Sequence, residues 1–162
     1  MEEQKVVMVS GCLLGLKCRF DGAAKKDPSL MKALQGYRLV PFCPETLGGL
    51  PIPRPPAEIF NGDGAMVLAG GARVINLEGR DCTAEYLQGA QAVLRLVLKT
   101  KPLFVILKAK SPSCGVGQIY DGSFSGLLRP GDGVTTAVLR QAGMRVFSEL
   151  EAARPDFPIK LR

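Results

Sequence analysis

Val6-Val7-Met8-Val9-Ser10-Gly11-Cys12 is a short, largely β-branched apolar run that breaks on a serine, a glycine and a cysteine. Four apolar residues bounded by a turn signal read as a buried strand entering a turn. The pattern recurs downstream. Residues 38–42 run into Cys43-Pro44-Glu45, residues 103–107 lead through Lys108-Ala109-Lys110 into Ser111-Pro112-Ser113-Cys114-Gly115, and residues 144–147 form a last strand. Helical patterns lie between these runs. One spans 28–34, opened by Asp27-Pro28-Ser29 and stopped by Gly36. A second spans 83–100, with Thr83 as N-cap and Ala84, Leu87, Ala90, Leu94, Val97 and Leu98 on one face. A third is opened by Asp132-Gly133, runs through Gln141 and is closed by Gly143. Strands alternating with helices predict an α/β fold: a Rossmann-like, mainly parallel sheet with helices on both faces.

The segment from 41 to 71 fits this scheme less well, because 12 of its 31 residues are Gly or Pro. It is expected to be a long irregular loop, and loops of that length in compact domains usually serve a function, here as the wall of a site. Residues 66–68 and 73–76, separated by Gly70-Gly71, are expected to form a short hairpin or a bulged strand.

At 162 residues the chain is expected to form one domain over 1–162. A chain of this size buries about 70% of its unfolded surface. Five cysteines and no histidine exclude His-based triads, histidine general acids and Cys₂His₂ zinc sites. The formal charge of +6 suits an anionic ligand, but no nucleic-acid-binding motif accompanies it. The opening Met-Glu-Glu-Gln-Lys does not resemble a secretory signal, and no apolar run approaches the roughly 18 residues of a membrane span. A cytoplasmic protein without membrane contact is expected. In that reducing compartment an odd number of cysteines argues for metal binding, catalysis or burial rather than a disulfide framework.

Cys12, Cys43 and Cys114 each follow a strand-like run. Ligands of open α/β sheets bind beyond the carboxyl ends of the strands, so these three thiols are expected at one place. Cys18, six residues after Cys12, is a possible fourth ligand; Cys82, just before the long helix, is a bystander. Without histidine the chemistry open to such a group is a thiolate zinc site or an iron–sulfur cluster, and the spacing does not choose between them.

Glu45 lies two residues beyond Cys43. In an extended segment its carboxylate faces whatever Cys43 binds, where it can serve as a general acid or base. Ser111 and Ser113 are placed to orient a substrate by hydrogen bonds. Arg19 and Asp21, with Arg54 and Glu58 at the end of the long loop, are candidates for pairing across the pocket mouth or for binding polar groups of a ligand. The Gly131-Asp132-Gly133-Val134-Thr135 helix start offers free N–H groups that can hold a phosphate, although an Asp132 N-cap explains it equally.

Taken together, Ser10-Gly11-Cys12-Leu13-Leu14-Gly15, Cys18-Arg19-Phe20-Asp21-Gly22, Pro41-Phe42-Cys43-Pro44-Glu45, Leu47-Gly48-Gly49-Leu50-Pro51 with Pro53-Arg54, Lys108 with Ser111-Pro112-Ser113-Cys114-Gly115, and Ile119-Tyr120-Asp121-Gly122 resemble the thiouracil desulfurase (TudS) family. The order is kept from the first strand to the last helix. The resemblance implies a [4Fe-4S] cluster held by Cys12, Cys43 and Cys114, with one iron not bound by protein and free to take the sulfur of a thiolated pyrimidine. It implies a non-redox desulfuration to the oxo form with release of sulfide, in which Glu45 activates water and Ser111 or Ser113 holds the ring or the developing charge. The family pattern does not require a cysteine at position 18, which leaves open whether Cys18 is a ligand, and Phe20 stands where tyrosine is more usual. A free thiouracil base or nucleotide is the expected substrate, ahead of tRNA, for which the chain lacks room for an extra domain. Two alternatives stay open: a closed zinc site of Cys12, Cys18, Cys43 and Cys114 in an interaction module, and a nucleotide-binding module that uses the Asp132-Gly133 helix start. The position of the thiolated carbon and the oligomeric state are left open.

Overall fold

The computed structural model describes residues 3–155 and Phe157. In chain order the elements are β1 (Val6–Ser10), α1 (Pro28–Ala33), β2 (Arg38–Phe42), α2 (Pro44–Leu47), β3 (Ala57–Phe60), α3 (Gly64–Leu68), β4 (Arg73–Asn76), α4 (Thr83–Thr100), β5 (Val105–Leu107), β6 (Gln118–Tyr120), β7 (Leu128–Pro130), α5 (Val134–Gln141), β8 (Val146–Ser148) and α6 (Glu149–Ala152). The central sheet has the order β2-β1-β5-β8, and each of its three pairings is parallel.

Alternation along β1 and β5 builds the two layers. Val7, Val9 and Ile106 face Leu30 and Leu34 of the α1 region, Ala152 of α6 and the rings of Tyr37 and Phe104. Met8, Val105 and Leu107 face the opposite way, onto Val93 and Val97 of α4 and Leu139 of α5. Each of these fully buried aliphatic side chains contributes about 1.5–3 kcal/mol relative to an exposed one. The Rossmann-like arrangement read from the sequence, a parallel sheet with helices on both faces, is present.

The Gly/Pro-rich segment departs from expectation. Residues 41–71 are not one irregular loop: they carry α2, β3 and α3. Residues 66–68 are helical, because Asp63 caps α3 by accepting the Met66 N–H at 3.1 Å. Strand β4 then pairs antiparallel with β3, across that helix, rather than with residues 66–68. The β3–β4 pair packs its apolar side on Tyr86 and Ala90 of α4 and on Val134 and Val138 of α5.

Helix α4 also turns a different face inward. Tyr86, Gly89, Ala90, Val93 and Val97 are buried, whereas Leu98, read as core, is 65% exposed. Thr83 is the first helical residue rather than the N-cap, and its hydroxyl accepts the Val74 N–H at 3.0 Å. That bond ties β4 to the helix start. No helix among the described residues is long and apolar enough to cross a membrane.

Candidate active site

All four strands of the sheet end at the same edge, and a cavity of about 890 Å³ opens there. Cys12 lies in the 3-10 turn Gly11–Leu14 that follows β1, Cys43 directly follows β2 as the N-cap of α2, and Cys114 sits in the loop after β5. All three line the cavity, and so do Glu45, Ser111 and Ser113. The convergence expected of strand-end cysteines is therefore met in space.

Local bonding holds each thiol in place. The Cys114 N–H donates to Ser111 Oγ at 2.8 Å, while Ser10 Oγ and Ser113 Oγ lie 3.6 and 3.7 Å from its sulfur. The loop bearing Cys114 is fixed from behind, because the N–H groups of Val134 and Thr135 at the start of α5 donate to the carbonyls of Pro112 and Ser113. Those N–H groups are thus spent, and the phosphate cradle considered at residues 131–135 is not there. Asp132 is not the N-cap either: it accepts the Gly117 N–H and pairs with Arg140 at 2.7 Å, while Gly133 occupies the cap.

Burial pushes the Cys114 thiol up to about 12. Cys43 is raised further, chiefly by its hydrogen bond with the Cys18 thiol. Cys12 is lowered, first by the Cys18 hydrogen bond and then, against the cost of burial, by Lys108 and Arg19. Cys18 is half-buried, lines the same cavity and interacts with both Cys12 and Cys43. Cys82 is buried against Arg80 and lies outside the cavity lining.

Glu45 does not lie on an extended segment. Pro44 begins α2, so the carboxylate projects from the first turn of a short helix. It is held from three directions: Oε1 accepts from Arg54 Nε at 3.1 Å and from Tyr86 Oη at 2.9 Å, and Oε2 accepts from Ser113 Oγ at 2.8 Å. Arg54 neither pairs with Glu58 nor sits at the cavity mouth. Its side chain is 4% exposed, and its other nitrogens donate to the carbonyls of Pro51 and Cys18. Glu58 instead accepts the N–H groups of Gly122 and Phe124. Arg19 lines the cavity with its guanidinium 5.9 Å from the Phe20 ring centroid. Asp21 is exposed, accepts the Ala23 N–H at 2.9 Å and is absent from the lining.

Soft thiolates suit zinc or iron–sulfur groups. Among the described residues, no three Cys, Asp or Glu side chains gather around a point as one metal ion requires. The closed four-thiolate zinc site is therefore not preformed. A multi-iron cluster binds each thiolate through a different iron, so it fits cysteines spread around a cavity wall. Arg19 and Lys108 bring positive charge to the same wall.

The family model described as 2-thiouracil desulfurase matches residues 7–151. The chain belongs to the 2-thiouracil desulfurase family. A solved structure of a [4Fe-4S]-dependent thiouracil desulfidase, TudS, superimposes with a TM-score of 0.80 at 42% identity, covering 98% of both chains. The uncharacterized protein YbbK of Bacillus subtilis (strain 168) is 44% identical over 146 residues, which is 90% of this chain and 97% of that one.

Two features of this cavity in the desulfurase chain escaped the sequence reading. Tyr86 looks like an ordinary core residue of α4, and only its hydroxyl, which needs a partner when buried, signals otherwise. The Lys108–Glu149 ion pair, 3.3 Å long, also lines the cavity, but its members lie 41 positions apart and no local pattern links them.

Proposed function

We propose that the protein is a [4Fe-4S]-dependent enzyme that exchanges the thiocarbonyl sulfur of a thiolated pyrimidine, base or nucleotide, for the oxygen of water. One water is consumed, one sulfide leaves, and no electrons are exchanged with a redox partner. The observation that carries this reading is a single cavity shared by three strand-end thiols and a carboxylate clamped by Arg54, Tyr86 and Ser113.

Cys12, Cys43 and Cys114 are the residues that would hold the cluster, leaving one iron without a protein ligand. When bound, the cluster supplies a Lewis-acidic iron that polarises the carbon–sulfur bond. A carboxylate offers about four lone-pair positions, and three on Glu45 are occupied. The remaining one accepts a proton from water as the water's oxygen attacks the thiocarbonyl carbon. The same carboxyl returns that proton to the sulfur, and as the carbon–sulfur bond breaks and the carbonyl forms it takes the remaining proton of the hydroxyl, so that both protons of the water leave with the sulfide. The Ser111 hydroxyl oxygen accepts from the Cys114 N–H, and because Ser113 gives its hydrogen to Glu45, the Ser111 hydrogen points to the Ser113 oxygen 3.4 Å away, a long bond that it can exchange for one to the ring. Arg54 acts through Glu45 rather than on substrate, and Arg19 is one of the cavity's cations open to the ligand's polar groups.

All five cysteines are free, and this reading places the enzyme in a reducing, cytoplasmic setting where they stay so. Anaerobically purified protein given 2-thiouracil should yield uracil and sulfide in equal amounts, with no added reductant or oxidant. Absence of both products with iron-loaded protein would remove the reading.

A further inference from the structure

We infer that Lys108 reads the carbonyl oxygen that a thiouracil carries beside its thiocarbonyl, and so sets substrate specificity. The inference rests on the desulfurase reading above. Lys108 is the residue immediately after β5, at the edge where the cavity opens, and its N–H donates to Ser10 Oγ at 3.0 Å. Its ammonium lies 3.3 Å from Glu149 Oε2 and donates to the Ala109 carbonyl at 3.3 Å. An ammonium has three N–H donors. One is placed on the Ala109 carbonyl and the charge is paired with Glu149, so at least one N–H stays uncommitted on a side chain that is 24% exposed and lines the cavity.

The anchor is itself rigid. Glu149 is in the first turn of α6, its side chain is 8% exposed, and its Oε1 accepts the Ala109 N–H at 2.7 Å. An ion pair this poorly solvated is no better for stability than an apolar pair of similar volume. Its use is to hold a charged donor at a fixed place facing the cavity.

The other cations of the cavity serve this purpose less well. Arg54 has spent Nε, Nη1 and Nη2 on Glu45 and on two carbonyls. Lys25 and Lys26 are exposed, Arg19 lies over Phe20, and Lys110, which also lines the cavity, has no ion pair among the described residues to fix its ammonium. Lys108 combines an oriented ammonium with an uncommitted N–H. The thiocarbonyl carbon belongs at Glu45 and Ser113, and the feature that separates a thiouracil from other cyclic thioamides is its second, carbonyl oxygen. A site built around a charged donor for that oxygen rejects a ring lacking it, because the donor is then left without a partner.

The test compares 2-thiouracil with pyrimidine-2-thione, the same ring without the oxygen, as substrates of the iron-loaded protein. It also compares uracil with pyrimidin-2-one as ligands, by titration calorimetry. Wild-type protein should prefer the oxygen-bearing member of each pair by about 10- to 100-fold. In Lys108→Met, kcat/KM for 2-thiouracil should fall by about that factor and that for pyrimidine-2-thione by less than threefold, so that the preference disappears. If wild-type protein shows no preference in binding, or if Lys108→Met lowers both substrates equally, Lys108 is not the reader. The wild-type comparison decides this even if the variant does not fold. If neither thione reacts while uracil binding keeps its preference and loses it in Lys108→Met, the desulfurase reading falls and the assignment of Lys108 stands.

Discussion

Gly48 and Gly89 face each other where α2 crosses α4, and neither has room for a side chain. A Cβ on Gly89 would lie 1.9 Å from the Pro44 carbonyl oxygen, and one on Gly48 would lie 2.0 Å from that of Glu85. The obstacles are backbone atoms, so relief requires the helices to separate. Helix α2 is the element that carries Glu45 and is capped by Cys43. Gly89→Ala gains about 1 kcal/mol in helix propensity but overpacks the contact. A net loss of about 1–3 kcal/mol is expected by chemical denaturation. Lower iron content is expected with it, since the Cys43 end moves too. Unchanged stability and iron would show that the α2–α4 contact does not position the site.

The Arg54–Glu45 pair is nearly dry, with side-chain exposures of 4% and 15%. Removing one member strands the other. Arg54→Met should destabilise the protein by about 3 kcal/mol and lower turnover through Glu45. A variant as stable as the parent would mean that the cavity hydrates the carboxylate freely.

Glu45→Gln keeps the shape of the side chain and removes its ability to take a proton. Iron and labile sulfide should remain at parental levels while kcat for thiouracil falls by at least about 100-fold, the usual worth of a positioned general base. Full activity in this variant would leave the proton transfer to another group.

Tyr86 is held protonated well above the usual tyrosine value, first by burial and then by the Glu45 charge beside it. The unfolded chain loses this proton near pH 10, so between that pH and the folded value the native state binds more protons than the unfolded one. Stability attached to Tyr86 is therefore complete below about pH 10 and is lost as pH rises above it. Denaturation midpoints measured from pH 9 to 11 should fall more steeply in the parent than in Tyr86→Phe. Parallel curves would place the phenol in contact with water.

The cysteine placement was legible because each thiol follows a short apolar run at a Gly or Pro turn, and parallel strands bring such ends to one edge. Glu45 was found for a partly mistaken reason: Pro44 makes its segment helical, yet the carboxylate still reaches the cavity. The β3–β4 pairing was hidden because Met66-Val67-Leu68, too short to show a period, reads equally as strand or helix. The Asp63 cap was the available signal. The role of Arg54 and the exclusion of Asp21 depend on which partners the fold supplies, and no local spacing encodes that.

The cluster itself can be tested by assaying iron, acid-labile sulfide and zinc in protein purified and reconstituted anaerobically, alongside Cys12→Ala, Cys43→Ala, Cys114→Ala and Cys82→Ala. Equal amounts of iron and sulfide with brown visible absorption are expected in the parent and in Cys82→Ala, whose thiol lies outside the cavity lining. Loss of both is expected in each of the other three. Stoichiometric zinc without labile sulfide, or undiminished iron in any of those three variants, would contradict the proposed site.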